Sequence, residues 1–379
     1  MIQESTYKAA RSVSATIESH FLHHHASVMA RSMHEVAPCP TEYLIEMMID
    51  AAFWASLRKE EGHPPKISLA LLPPEMAMHP MVFEHPLKLS PALLTKLAPA
   101  VERSGNHLGV WHQQGELYVW GTTRVIPGLC FVLEVVEPGL LVIKHRRIDG
   151  FGKFVNIAVL KGDEVKIVDD TSVALPDCPA LLTSLLGFTG LEGWSDSVSV
   201  LVQLAASMRA HGRGGALLVV PSGSTAWRDS IVHPISYPVM PAFAGLAELV
   251  KQHPAERNSV WQDSLTRAVE SVAGVTAVDG ATVISDQHEL LAFGAKIIRS
   301  FHGSPVEQIM LTEPVVNSPV RVIHPTQNGG TRHLSAAQFV HDQHDALALV
   351  ASQDGRFTVF SWSECEGMVH AHRVDALLL

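Results

Sequence analysis

Between Gly329 and Gly355 the chain reads GGTRHLSAAQFVHDQHDALALVASQDG, a glycine turn, a helical segment and an apolar strand in direct succession. Turn, helix and strand in that order commit this part of the protein to an α/β layer. The turn sets Gly329, Gly330, Thr331, Arg332 and His333 where the helix begins, so backbone N–H groups and the positive end of the helix dipole converge on one point. Such a point suits a phosphate. Arg332 adds a planar, permanently charged fork and Thr331 a hydroxyl. The plainer alternative is an ordinary capped helix with no ligand.

Composition narrows the class. The chain has 379 residues, of which 47% are hydrophobic and 17% charged, which describes globular structure with a large core. A formal charge of -10 argues against a broad basic face, so no nucleic acid is expected. Glu134, Glu137 and Pro138 interrupt the longest apolar run, near Leu129 to Ile143, and the start MIQESTYKAARS lacks the order of a secretion signal. The expectation is a cytoplasmic protein with no membrane span. Cys39, Cys130, Cys178 and Cys365 show no CxxC spacing, which predicts reduced thiols.

Taken in order, residues 4–34 and 41–61 carry helical periodicity, with Thr41 as an N-cap of the second. His20 and His24 have the i, i+4 spacing of a metal pair, but without a third placed ligand a solvated histidine-rich face is the better reading. From Lys66 the pattern turns to strands: KISLALL, then three hairpins turning at Gln114-Gly115, Glu137-Pro138-Gly139 and Lys161-Gly162-Asp163. They predict a small antiparallel sheet, on which Trp111, Tyr118 and Trp120 are read as packing partners. The tract SVALPDCPA at 172–180 reads as a connector. Beyond it come a helix at 195–211, a buried strand ALLVV after Gly212, Gly214 and Gly215, helices at 241–252 and 258–273, and strands on either side of Asp286 and Gln287. The expected fold is therefore α/β: a C-terminal mixed central sheet flanked by helices over 190–379, preceded by an α+β domain with an antiparallel sheet over 1–180.

Asp279-Gly280-Ala281 opens the strand TVIS, where a carboxylate beside glycine can approach a metal or a ribose hydroxyl. Alone it is a common turn. In order with MRAHGRGGALLVV before it, and GGTRH and DALALVASQDG after it, it resembles the diadenylate cyclase domain, the nucleotide-binding domain of the DNA-integrity-scanning family. That family has a glycine-led strand, an Asp-Gly-Ala, a Gly-Thr-Arg-His-Arg at a helix start, and a Ser-Glu-Glu before glycine. The resemblance covers roughly 190–365, and residues 1–180 resemble the extra N-terminal domain, a suspected sensor, that precedes it in some bacterial proteins.

The resemblance implies that two ATP molecules condense to cyclic di-AMP with Mg2+ or Mn2+, across a face-to-face dimer, because each site makes half the product. It assigns catalysis to Asp279, Arg332 and His333, nucleotide contacts to Gly280, Ala281, Gly330, Thr331 and Ser352, and metal binding to Asp279 and Asp354. The chain departs from the pattern at two places. Leu334 stands where a second arginine belongs, and Ala351, Ser352 and Gln353 stand at the Ser-Glu-Glu, leaving Asp354 one place along. An insertion near 299–328, read as the strand pair EQIML and PVRVIHP, carries Arg299 and Arg321 as candidates for the lost charge. Two other readings stay open: a degenerate domain that binds nucleotide as a sensor without turnover, and a scaffold that only dimerises. His341, His344, His370 and His372 with Cys365 form a weaker metal candidate, and Trp227 or Arg228 a possible border to the base. No GxSxG or Walker motif occurs.

Overall fold

A computed structural model describes residues 5–29, 36–103, 105–148, 154–169, 196–253 and 259–379. The chain divides into two compact units, the first ending at Val168 and the second spanning Asp169–Leu378. The connector read at 172–180 lies outside the described residues. Each unit is a mixed sheet with helices, and seven helices occur among the described residues. None of them is long and apolar enough to cross a membrane.

In the first unit α1 (Lys8–Met29), α2 (Glu42–Ser56) and α3 (Pro91–Val101) accompany an eight-stranded sheet. Its strands are β1 (Ile67–Leu71), β2 (Met81–Lys88), β3 (His107–Gln113), β4 (Glu116–Thr123), β5 (Phe131–Glu137), β6 (Leu140–Arg146), β7 (Phe154–Lys161) and β8 (Glu164–Ile167), in the order β2-β4-β3-β1-β5-β6-β7-β8. The three hairpins form where the glycine turns place them. The sheet is neither small nor purely antiparallel. β1 and β3 run parallel, because the segment between them carries α3 back across the sheet, and β2 adds an edge. Ser90 caps α3 by accepting from Leu93 N, whereas Thr41 sits at the start of α2 without a side-chain cap.

The helices bury one sheet face, through Ile17, Phe21, Ile45, Met48 and Leu94 against Leu69, Phe131 and Ile143. The other face holds a smaller cluster around Trp120, Ala70, Leu72 and Val132. Trp120 is read correctly as packing: its ring lies where a side chain on Gly109 would be, and its Nε1 donates to the Leu72 carbonyl at 2.8 Å. Trp120→Phe strands that buried carbonyl, so a loss of about 1–3 kcal/mol in urea unfolding is expected.

The second unit has α4 (Asp196–Ala210), α5 (Gly245–Lys251), α6 (Ser259–Val275) and α7 (Thr331–Asp342). Its nine strands are β9 (Gly215–Val220), β10 (Tyr237–Phe243), β11 (Ala281–Ser285), β12 (Leu290–Ala295), β13 (Ile309–Thr312), β14 (Arg321–Ile323), β15 (Leu347–Ala351), β16 (Phe357–Ser363) and β17 (Met368–Arg373), ordered β10-β12-β11-β9-β15-β16-β17-β13-β14. The helix expected at 241–252 starts later, at Gly245, because YPVMPAF before it is an edge strand, the sheet position where proline is tolerated. The strand pair expected in the insertion is β13 and β14, and β13 also runs parallel to β17. α7 lays Ala336, Ala337, Phe339 and Val340 on one sheet face, against Leu218, Val283, Ala348 and Val350.

Candidate functional site

Four neighbouring strands of the second unit end at one place. β9 and β11 run parallel and begin there, with Ala216 opposite Ala281, while the antiparallel β15 and β12 finish there, with Ala351 opposite Gly215 and Ala295 opposite Ala281. The amino end of α7 reaches the same sheet end. Together they enclose a cleft of about 480 Å³, within the roughly 300–1,000 Å³ of small-molecule sites.

The glycines of the motifs make this closure possible. Gly280 has φ +105°, and a Cβ there would stand 2.5 Å from the Gly294 carbonyl carbon, so the Asp279-Gly280 turn lies directly on the β12 backbone. Gly294 has φ +63° and is covered by the Tyr237 ring, itself stacked on Phe293 with centroids 4.8 Å apart. Gly214, at φ +71°, leaves the space that the Arg332 guanidinium occupies: a Cβ would stand 2.9 Å from it. Gly329 does the same for His333, whose Nδ1 would be 2.4 Å from an added Cβ.

The cleft brings together Asp279, Gly280, Ala281, Gly330, Thr331, Arg332, His333 and Ser352 from the sequence reading. Asp279 is exposed and makes no side-chain hydrogen bond or ion pair among the described residues, which leaves its carboxylate available. Gly330 is the N-cap of α7 and offers no side-chain acceptor; the His333 N–H donates to the Gly330 carbonyl, and the Thr331 and Arg332 N–H groups are left without a cap. His333 is buried, with Nε2 unpartnered among the described residues, and its pKa is pushed down to about 4, chiefly by burial and against the opposing pull of Asp354. A neutral imidazole is a donor or an acceptor, not a counter-charge. At this helix start it is therefore a hydrogen-bonding group, and the cation of the motif is Arg332.

Asp354 is the candidate that the cleft does not gather. It lies on the turn after β15, outside the lining, and its carboxylate is 3.4 Å from Arg356 Nε. Its pKa is lowered first by a hydrogen bond from Ser352 and further by the Arg356 backbone and charge. Gln353 instead donates to the Arg213 carbonyl at 3.3 Å, tying that turn to the glycine loop before β9. Leu334 packs against the core between α7 and the sheet.

Sequence reasoning missed Lys296, which lines the cleft directly after β12. Its signal was strand pairing: since Ala295 pairs with Ala281, the next residue comes opposite the Asp279-Gly280 turn. Neither Arg299 nor Arg321 lines the cleft; Arg321 borders a separate crevice with Glu313 and Arg373. Trp227 is buried, with Arg228 over its ring at 4.9 Å, and neither lines the cleft.

The other histidine candidates have structural partners. His370 and His372 flank the Thr312 hydroxyl at 3.1 and 2.9 Å, and His344 stacks on Trp362 with centroids 3.6 Å apart. His20 and His24 have ring centroids 4.3 Å apart, with His145 beside both. Among the described residues, no three His, Cys, Asp or Glu side chains are grouped where they could hold an ion.

Comparison with known proteins adds one firm point. Residues 34–124 match the family model described as "Probable sensor domain DACNV". No curated protein matches the chain. A solved structure described as that of a hypothetical membrane spanning protein from Bacillus cereus is similar at 14% identity and a TM-score of 0.27, over 48% of this chain and 65% of that one. Less than two thirds of that structure's chain is thus spanned by the match. The sensor-domain match lies wholly in the first unit, and so that unit carries the sensor-like segment.

Proposed function

We propose that the second unit is a diadenylate cyclase-like nucleotidyltransferase that binds ATP in the cleft and condenses two molecules to cyclic di-AMP across a face-to-face dimer, each 3′-hydroxyl displacing pyrophosphate from the α-phosphate of the other. The observation that carries this reading is the meeting of the Asp279-Gly280-Ala281 turn with the Gly330–His333 helix start in one cleft. The two segments are distant in sequence and have no packing reason to share polar groups at an open sheet end. Positioning and charge stabilisation are the main demands of phosphoryl chemistry, and both kinds of group are present.

In this reading the triphosphate lies at the amino end of α7, held by its N–H groups, the Thr331 hydroxyl and Arg332. Lys296, from the opposite wall, takes the charge role left open by Leu334. Mg2+ is commonly held by one or two carboxylates together with substrate phosphates, and Asp279 alone meets that lower requirement. The metal would neutralise phosphate charge; Asp279 would hold it and orient the attacking 3′-hydroxyl.

The test is incubation of the full chain with ATP and Mg2+ or Mn2+, followed by mass spectrometry. Cyclic di-AMP is expected from the wild type and none from Asp279→Ala. Lys296→Ala is expected to weaken ATP binding about tenfold, since a charge-assisted hydrogen bond is worth about 1.5–3 kcal/mol. No product from wild type at any protein concentration would end the proposal. A second reading, nucleotide binding without turnover, is favoured by one observation: Asp354 is held by Arg356 away from the cleft. It predicts saturable ATP binding, weakened by Arg332→Ala, with no product.

A further inference from the structure

A second concavity lies in the first unit, between α2 and the β3–β4 hairpin, and encloses about 1400 Å³. One stripe of α2 forms a wall. Tyr43, Met47 and Trp54 recur at helical spacing, with Ala51 between them, on the side away from the buried Ile45, Met48 and Ile49, and Arg58 follows two residues past the helix end. The facing wall comes from Lys88 to Pro91 and from Gln113 to Tyr118. All of these residues fall within the 34–124 segment that matches the sensor-domain family.

The wall presents aromatic surface to solvent. Trp54 is 40% exposed and Tyr43 38%, although large aromatic rings ordinarily bury themselves in a core this size. The indole is held in place, since Trp54 Nε1 donates to the Thr6 hydroxyl at 2.7 Å. A fixed, exposed ring is a stacking platform prepared before binding.

The charged groups of the groove, Lys88 and Arg58 against Asp50 and Glu116, balance in number but are not all in contact. Asp50 accepts from Thr6 N at 2.9 Å and Tyr7 N at 2.8 Å, so it is committed to the start of α1. Glu116 accepts from Lys88 Nζ at 2.6 Å and from the Tyr118 hydroxyl at 3.0 Å. Arg58 is exposed, one turn beyond Trp54, and its side chain has no hydrogen bond or ion pair among the described residues. The groove therefore offers flat aromatic surface beside one guanidinium that no carboxylate contacts among the described residues.

We propose that this groove binds a planar aromatic anion, with its ring on Trp54 and its carboxylate, sulfonate or phosphate on Arg58. That such a molecule is the signal for the nucleotide cleft rests on the function proposed above; that it binds does not.

The experiment uses the full chain and two probes that share a ring system, 8-anilinonaphthalene-1-sulfonate and the uncharged N-phenyl-1-naphthylamine. The sulfonate is expected to show a saturable site by fluorescence titration. Arg58→Gln, a surface change, should weaken the sulfonate at least tenfold and leave the uncharged probe unchanged. Trp54→Ala should weaken both, with circular dichroism confirming that the variant is folded. Equal sulfonate affinity in wild type and Arg58→Gln overturns the proposal, as does a folded Trp54→Ala that binds both probes like wild type. ATP binding is followed in parallel. Arg58→Gln should leave it intact, so loss of the groove and failure of the cleft reading give different results.

Discussion

Lowering the pH from 7 to 5 is expected to cost residues 169–378 most of their stability, because four histidines are buried there in the neutral form. His288, His333 and His370 have pKa values pushed down to about 4, and His372 well below its ordinary 6.5, in each case chiefly by burial. In the unfolded chain each titrates near 6.5. Between about 4 and 6.5 the unfolded chain therefore binds protons that the folded chain refuses. Stability is complete above pH 6.5, falls as pH drops through that window, and levels below the folded values. A displacement from 6.5 to about 4 is worth about 3 kcal/mol when fully expressed, and roughly 2 kcal/mol of it is felt by pH 5. His288, His333 and His370 together reach the lower part of the roughly 5–15 kcal/mol that holds a domain folded, and His372 acts in the same direction.

The local geometry explains why these rings resist protonation. Thr312 has one hydroxyl between two rings, and donating to one while accepting from the other requires a bare nitrogen on one imidazole. Charging both rings, whose centroids are 3.8 Å apart, removes that acceptor and adds repulsion. His288 has neither ring nitrogen hydrogen-bonded among the described residues and only Asp286 pulling its pKa upward. Urea unfolding followed across pH is the measurement, and the slope of stability against pH counts the protons taken up. His370→Gln should reduce that slope by about one proton. A stability unchanged between pH 7 and 5 would show that these rings accept protons without unfolding.

Much of this architecture is legible in the residues. The hairpins are written in Gln114-Gly115, Gly139 and Gly162, whose positive φ values the turns require. The cleft is written in Asp279-Gly280 and Gly329, since each of the two glycines admits a neighbour that a side chain would exclude. Four things were not legible, for physical reasons. Tyr237–Phe243 holds two prolines, which argue against a strand unless its edge position is known. Lys296 becomes a wall of the cleft only through a register across two strands, and register is a long-range property. Asp354 looks available beside the glycine turn, yet Arg356 two residues on folds back to it, a local contact that spacing alone does not distinguish from a ligand. The parallel pairing of β1 with β3 was hidden in the same way, because hairpin signals report neighbours in sequence and not crossovers.

Replacing Gly280 by valine is expected to remove about 2–6 kcal/mol of stability, the sum of a strained backbone and an overpacked contact. At φ +105° an L side chain is unfavourable whatever the space, and here the nearest atoms are the Gly294 carbonyl and the Ala295 nitrogen, which cannot swing aside. The β11–β12 pairing must open, and Tyr237 loses its seat on Gly294. Asp279, the neighbouring residue, is exposed and makes no side-chain hydrogen bond or ion pair among the described residues, so Asp279→Ala should change unfolding by no more than about 0.5 kcal/mol. The two substitutions therefore separate what a shared motif confounds. Gly280→Val should lower the urea midpoint and ATP binding together, while Asp279→Ala should preserve the midpoint and remove product. If Gly280→Val unfolds like wild type, the close approach of the turn to β12 is not what shapes the cleft. If Asp279→Ala destabilises as strongly as Gly280→Val, the carboxylate serves the fold, and its assignment to the nucleotide loses its basis.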